Sequence, residues 1–139
     1  MGRILAIDYG RKRTGIAVSD MLQIIANGLV TVPTHKLLSF LNEYVKKESV
    51  ERIIIGLPKQ MNSKDSEIVS DIKRFVLILE KQISGIPIEF VDERFTSVLA
   101  QRTILDAGLK KKARQNKELV DEISATIILQ SYLENKYFK

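Results

Sequence analysis

The sequence predicts an α/β fold: a five-stranded mixed sheet, made of a three-strand antiparallel meander plus two parallel strands, with helices on both faces. Three observations carry this. The 139 residues, 45% of them hydrophobic, suffice for one complete core but not two, so residues 1–139 form a single domain. Three short apolar runs open the chain with turn residues between them, as in a meander. From residue 34 onward, runs with helical period alternate with β-branched runs, the pattern of crossover connections.

Arg3 to Asp8 is apolar almost without alternation, which predicts a central strand covered on both faces. Gly10 and Arg11-Lys12-Arg13 turn the chain, Thr14 to Ser19 and Gln23 to Val32 supply two strands suited to antiparallel pairing, and Pro33 closes the unit. From Thr34 to about Glu48, Leu37, Leu38, Leu41, Tyr44 and Val45 recur at helical spacing. Arg52 to Gly56 is β-branched and empties into Gly-Leu-Pro, a strand meeting a loop. Asn62 or Ser63 can cap a helix whose line of Ile68, Ile72, Phe75, Leu79 and Ile83 ends at Gly85 and Pro87. Ile88 to Asp92 is the next strand. Thr96 caps a shorter helix to Gly108, a basic loop follows, and the last helix runs from about Lys117 to Asn135. Its buried stripe is expected at Val120, Ile123, Ala125, Ile127, Ile128 and Tyr132.

Composition excludes several chemistries. With no cysteine there is no disulfide scaffold, thiol nucleophile or thiolate-bound zinc, which fits a reducing cytoplasm. The opening apolar run is too short for a signal peptide, and no stretch approaches the roughly 20 apolar residues of a membrane span. Lys and Arg number 22 against 17 Asp and Glu, a net charge of +5, which suits a polyanionic partner.

Three carboxylates stand where catalysis is the competing explanation for them. Asp8 ends the central strand, where an open α/β sheet presents its ligand crevice; its structural alternative is to open a turn with Gly10. Asp92 and Glu93 end the last strand, and strand alternation lets one of them face Asp8; a helix first turn or a pair with Arg94 is the alternative for Glu93. Asp121 lies in line with Ala125, Ile128 and Tyr132 on the buried face of the last helix, though an acid there also suits the helix dipole. Should the three meet, their repulsion calls for divalent cations, and hard oxygen ligands favour Mg²⁺ or Mn²⁺. A pair of such ions can activate water and stabilise a leaving oxygen at phosphorus without help from His or Cys. Arg11, Lys12, Arg13, Lys59, Arg94, Lys110, Lys111, Lys112, Arg114 and Lys117 all stand on or beside connections, placed to follow a phosphate backbone.

Taken together, Asp8-Tyr9-Gly10 with Lys12-Arg13-x-Gly15-x-Ala17-x-Ser19-Asp20, Gly56-Leu57-Pro58, Asp92-Glu93-Arg94-x-Thr96 and Val120-Asp121 before Ser124-Ala125 resemble the bacterial YqgF family along essentially the whole chain. The resemblance implies a minimal RNase H-like fold related to Holliday junction resolvases. It also implies a nuclease processing the 5′ end of the small-subunit ribosomal RNA precursor. By position, Asp8, Glu93 and Asp121 would be the metal-binding carboxylates, with Asp92 in support. Lys59 to Asp65 departs from the family, where a glycine-containing Asp-Gly-Thr segment is common. The partners expected are structured RNA, or branched DNA cut by a homodimer, and pre-ribosomal particles, with no membrane. An actin-like ATPase is set aside because that architecture needs two copies of the domain. A noncatalytic RNA-binding ribosome-assembly factor is the other alternative, although a mere binder would gain nothing from repelling acids beside phosphate.

Overall fold

A computed structural model describes residues 2–58, 63–96, 98, 101, 102 and 117–138, with the side chains at 63–65, 95, 117–121, 137 and 138 excepted. Its centre is β1 (Arg3–Asp8), flanked by antiparallel β2 (Arg13–Ser19) and parallel β4 (Val50–Leu57). β3 (Ala26–Pro33) pairs antiparallel with β2, and β5 (Ile88–Asp92) pairs parallel with β4, giving the order β3-β2-β1-β4-β5. This is the mixed sheet that the sequence predicts.

Alternating side chains of β1 feed two cores. Leu5 and Ile7 join Ile53 and Ile55 of β4 beneath two helices, α1 (Leu37–Lys47) and α2 (Ser63–Gln82), which contribute Leu37, Leu41, Ile72 and Leu79. Ile4 and Ala6 face the other way, onto Ala125, Ile128, Leu129 and Leu133 of α3 (Lys117–Phe138). Helices therefore cover both faces. Among the described residues, no helix is long and apolar enough to cross a membrane.

Several boundaries differ from the sequence reading. The expected helix from Thr34 opens as a single 3-10 turn, Thr34–Lys36, before α1 begins. α2 buries Val69 and Val76 beside the expected Ile72 and Leu79, because a helix against a sheet buries a stripe wider than one line of residues. In α3, Leu129 and Leu133 are buried where Ile127 was expected. The helix expected from Thr96 to Gly108 falls mostly outside the described residues; Val98, Gln101 and Arg102 are helical.

The largest correction is at β3, which starts at Ala26 and not at Gln23. The Asp20 carboxylate accepts the backbone N–H groups of Leu22 (3.2 Å), Ile24 (2.7 Å) and Ile25 (2.8 Å), so these donors are satisfied locally and not by a neighbouring strand. Gln23 adopts a positive φ of 60°, which no strand accommodates. These bonds, led by that from Ile25, hold the Asp20 carboxyl below its ordinary value of 3.8. A depressed folded-state pKa means that this stabilisation is present above the unfolded value and lost as pH falls through the folded one. A carboxyl-carbon NMR titration should therefore give Asp20 a midpoint below 3.8, with the Ile24 and Ile25 amide resonances moving at the same midpoint. A midpoint at the ordinary value would mean that the loop is not held in this way.

Candidate active-site cleft

Parallel strands end together. Asp8 closes β1 and Asp92 closes β5, on either side of β4, so both acids reach the same end of the sheet. Beyond Asp92 the chain makes a 3-10 turn, Glu93–Phe95, closed by Thr96, whose hydroxyl and backbone N–H donate to the Glu93 carbonyl at 3.1 and 3.3 Å. That turn carries Glu93 over β4. A Cβ added at Gly56 would lie 2.9 Å from Glu93 Oε1 and 2.8 Å from Ile128 Cδ1, so glycine leaves the space that the Glu93 carboxylate fills. Asp8 and Glu93 then line one open cleft of about 300 Å³ with Thr96, Gln101, Ser124, Ile127 and Ile128.

The turn after Asp8 is held just as firmly. A Cβ at Gly10 would sit 2.3 Å from the Arg13 carbonyl oxygen, which a side chain there could not avoid. Thr34 donates from its hydroxyl to the Gly10 carbonyl at 2.6 Å and from its backbone N–H to the Lys12 carbonyl at 2.9 Å. Tyr9 packs against Phe75 of α2, ring centroids 5.5 Å apart.

The other expected site residues are placed as follows. Asp92 turns away from the cleft: it accepts the Arg94 backbone N–H at 2.9 Å and binds the Arg94 guanidinium, Nη2 to Oδ2 at 2.6 Å. Instead it lines a second cavity, of about 510 Å³, along the β5 edge with Glu89, Phe90 and Tyr132. Arg11 pairs with Glu67 (2.7 Å) and Asp71 (3.5 Å) of α2, while Lys12 is exposed and Arg13 half-buried at the start of β2. Asp71 and Glu67 raise the pKa of the Arg11 guanidinium, chiefly through the hydrogen bond to Glu67; Asp92 does the same for Arg94. Asp121 falls in the first turns of α3, three and seven positions before Ser124 and Ile128, which line the cleft. The Asp121 and Lys117 side chains, and Lys59, Lys110, Lys111, Lys112 and Arg114 altogether, lie outside the described residues. Among the described residues no group of three or more metal-ligating side chains forms; Asp8 and Glu93 are the two carboxylates at the cleft, oxygen donors of the kind that suit hard cations. Sequence reasoning did not single out Gln101 or the role of Gly56. For Gly56 the signal was present, a glycine interrupting a β-branched strand, which often marks a close approach.

This strand order, with acids from two strand ends over a cleft flanked by a helix, defines an RNase H-like domain. Its backbone resembles a Thermus thermophilus RuvC solved in complex with Holliday junction substrate, with a TM-score of 0.63 and 16% identity over 96% of both chains. A further T. thermophilus RuvC structure gives 0.58 and 13%, again over 96% of each. The family model described as "RuvX: Holliday junction resolvase" matches residues 2–135, and the chain belongs to that family. Relatives include proteins of Bacteroides fragilis (74% identical, covering 98% of this chain and 99% of that one), Bacteroides thetaiotaomicron (72%, 99% and 100%) and Porphyromonas gingivalis (62%, 97% and 98%). Each bears the name "Putative pre-16S rRNA nuclease". Family and relatives together make this chain a nuclease, a hydrolase of nucleic-acid ester bonds.

The contacts around Gly56 separate site geometry from stability. Both near atoms are ends of flexible side chains, so Gly56→Ala should fold, at a cost of about 1–3 kcal/mol in chemical denaturation. It should lose at least tenfold in nuclease rate because the Glu93 carboxylate is displaced. Full activity in this variant would separate the position of Glu93 from catalysis.

Proposed function

We propose that this chain is a metal-dependent phosphodiesterase that acts on structured RNA, trimming the 5′ end of the small-subunit ribosomal RNA precursor during ribosome biogenesis in the cytoplasm. One observation carries the proposal: Asp8 and Glu93, 85 positions apart in sequence, open onto one cleft at the C-terminal end of the sheet. The names borne by relatives more than 60% identical over nearly the whole chain support the substrate.

Asp8, Glu93 and Asp121 would hold Mg²⁺ or Mn²⁺, the preference of a donor set made only of carboxylate oxygen. When bound, a pair of such ions lowers the pKa of water and neutralises charge growing on phosphate oxygens. The chain supplies the rest. Ser124, Thr96 and Gln101 offer hydroxyl and amide groups around the cleft for the scissile phosphate, and Ile127 with Ile128 supplies the apolar part of its lining. Arg11, Lys12, Arg13, Lys59 and the basic segment from Lys110 through Arg114 to Lys117 bind flanking phosphates. The Arg11 and Arg94 ion pairs are exposed, so they are weak enough for a phosphate to replace the carboxylate.

A second reading is Holliday junction resolution, favoured by the family description and by a backbone likeness to RuvC. Symmetric incision of a four-way junction requires two sites and hence a dimer.

The test offers precursor RNA and a synthetic four-way junction to the same enzyme with Mg²⁺ or Mn²⁺. RNA cleavage is expected, abolished by chelation. Asp8→Asn and Glu93→Gln should each lose more than the roughly 10–100-fold typical of a residue one shell further from a metal, with the thermal unfolding midpoint retained. Junction cleavage with RNA left intact would move the assignment to resolution. Undiminished cleavage by Asp8→Asn would remove the site.

A further inference from the structure

Two connections meet at the rim that bears Asp8. β3 ends at Pro33 beside Arg13, the first residue of β2, and the 3-10 turn Thr34–Lys36 follows directly. Thr34 latches that turn onto the connection leaving β1. Its hydroxyl donates to the Gly10 carbonyl at 2.6 Å, its backbone N–H donates to the Lys12 carbonyl at 2.9 Å, and the buried hydroxyl of Thr14 lies 2.9 Å from its own. Lys36, two residues beyond the latch, is thereby held beside the Lys12 turn, and both lysines are exposed. Residues 10–13 and 33–39 contain no acid. Arg11 leaves the same turn for Glu67 and Asp71 of α2, whereas among the described residues no carboxylate pairs with Lys12 or Lys36. Like charges fixed on adjoining turns repel, and an anion between them relieves that repulsion.

Position identifies the anion. In the strand order β3-β2-β1-β4-β5, Glu93 reaches the cleft from the β4 and β5 side of Asp8, while the two lysines stand on the β2 and β3 side. We propose that Lys12 and Lys36 form a second phosphate-binding site, which grips the phosphodiester backbone of the substrate where it leaves the cleft across the ends of β2 and β3. This rests on the reading of the Asp8 and Glu93 cleft as the place of cutting. Neighbouring strands lie about 4.8 Å apart, so β3 is roughly 10 Å from β1. One nucleic-acid strand rises about 3.4 Å per phosphate, which puts the site about three phosphates from the cut. The opposite exit offers a polyanion little. Among the described residues, the groove along β5 is lined by the carboxylates of Glu89 and Asp92 and by a single cation, Lys136, which Gln23 already holds.

The salt dependence of binding by the full chain tests this. Fluorescence anisotropy, with divalent ions chelated so that nothing is cut, follows a labelled precursor RNA and a labelled four-way junction between about 50 and 200 mM KCl. Lys12→Gln and Lys36→Gln should each make the plot of log affinity against log salt shallower by roughly 0.7–0.9, the share of one phosphate contact, and the double variant by about twice that. Lys36→Arg should keep the wild-type slope. Lys47→Gln, which removes an exposed lysine from the other end of α1, should keep it too. The same changes are expected on either nucleic acid, because the site reads phosphate. An unchanged slope in Lys36→Gln overturns the proposal, as does an equal change in Lys47→Gln, which would reduce the effect to net charge. Because the slopes are read without catalysis, cleavage that survives Asp8→Asn would remove the nuclease site and not this result. Cleavage abolished in Asp8→Asn, with unchanged slopes in the lysine variants, would remove this site alone.

Discussion

Everything in this fold depends on β1 being buried on both faces. Ile4, Leu5, Ala6 and Ile7 are at most 1% exposed, and two hydrophobic layers meet on this one strand. Burying a side chain such as Leu or Ile is worth about 1.5–3 kcal/mol, so a strand carrying three of them has no stable place at a sheet edge. The central position in turn dictates that β1 ends among other strand ends. A carboxylate cannot sit within such a layer unpaired, and Asp8 stands at the first position where the strand leaves it. The parallel neighbours then bring Gly56 and Glu93 to the same rim.

Local signals made much of this legible. β1, β4 and β5 are runs of apolar and β-branched residues stopped by Asp, Gly-Leu-Pro and Asp-Glu, and their observed ends fall within two residues of the reading. β3 was read three residues too early because Gln23-Ile-Ile has the composition of a strand. What overrides that composition is a set of bonds from Gln23 to Gly2, Glu51 and Lys136, which are 21, 28 and 113 positions away. No local pattern encodes those. The site shows the same division. Strand ends single out Asp8 and the Asp92-Glu93 pair, but alternation says only that the two acids diverge. Asp92 pairs with Arg94 outside the cleft, while the space above Gly56 receives Glu93. Likewise Arg11 reads as a free cation until folding brings Glu67 and Asp71 of α2 beside it, 56 and 60 positions on.

Charge is arranged so that attraction and repulsion do different jobs. The net charge of +5 draws a polyanion from a distance, whereas the cleft itself presents acids. Among the described residues, Arg11 and Arg94, three and one positions after Asp8 and Glu93, are parked on neighbouring acids in exposed pairs. Such pairs cost little to break and are weakened by salt, so the guanidinium groups are held in place without being committed. An ammonium in its place would lose the planar fork by which Arg94 binds both oxygens of Asp92.

Strand polarity separates two surfaces that would interfere if they shared an end: an acidic cleft for a charged chain, and an uncharged apolar loop. α3 touches both. From Ser124 at the cleft to Lys136 on Gln23 at the far loop it rises through 12 residues, about 18 Å. The helix is anchored between them by Ala125, Ile128, Leu129 and Leu133 against the sheet. Ile128 is shared by the cleft wall and this core, and with Glu93 it fills the space above Gly56 that any larger residue would need, so the packing that fixes α3 on the sheet also shapes the cleft.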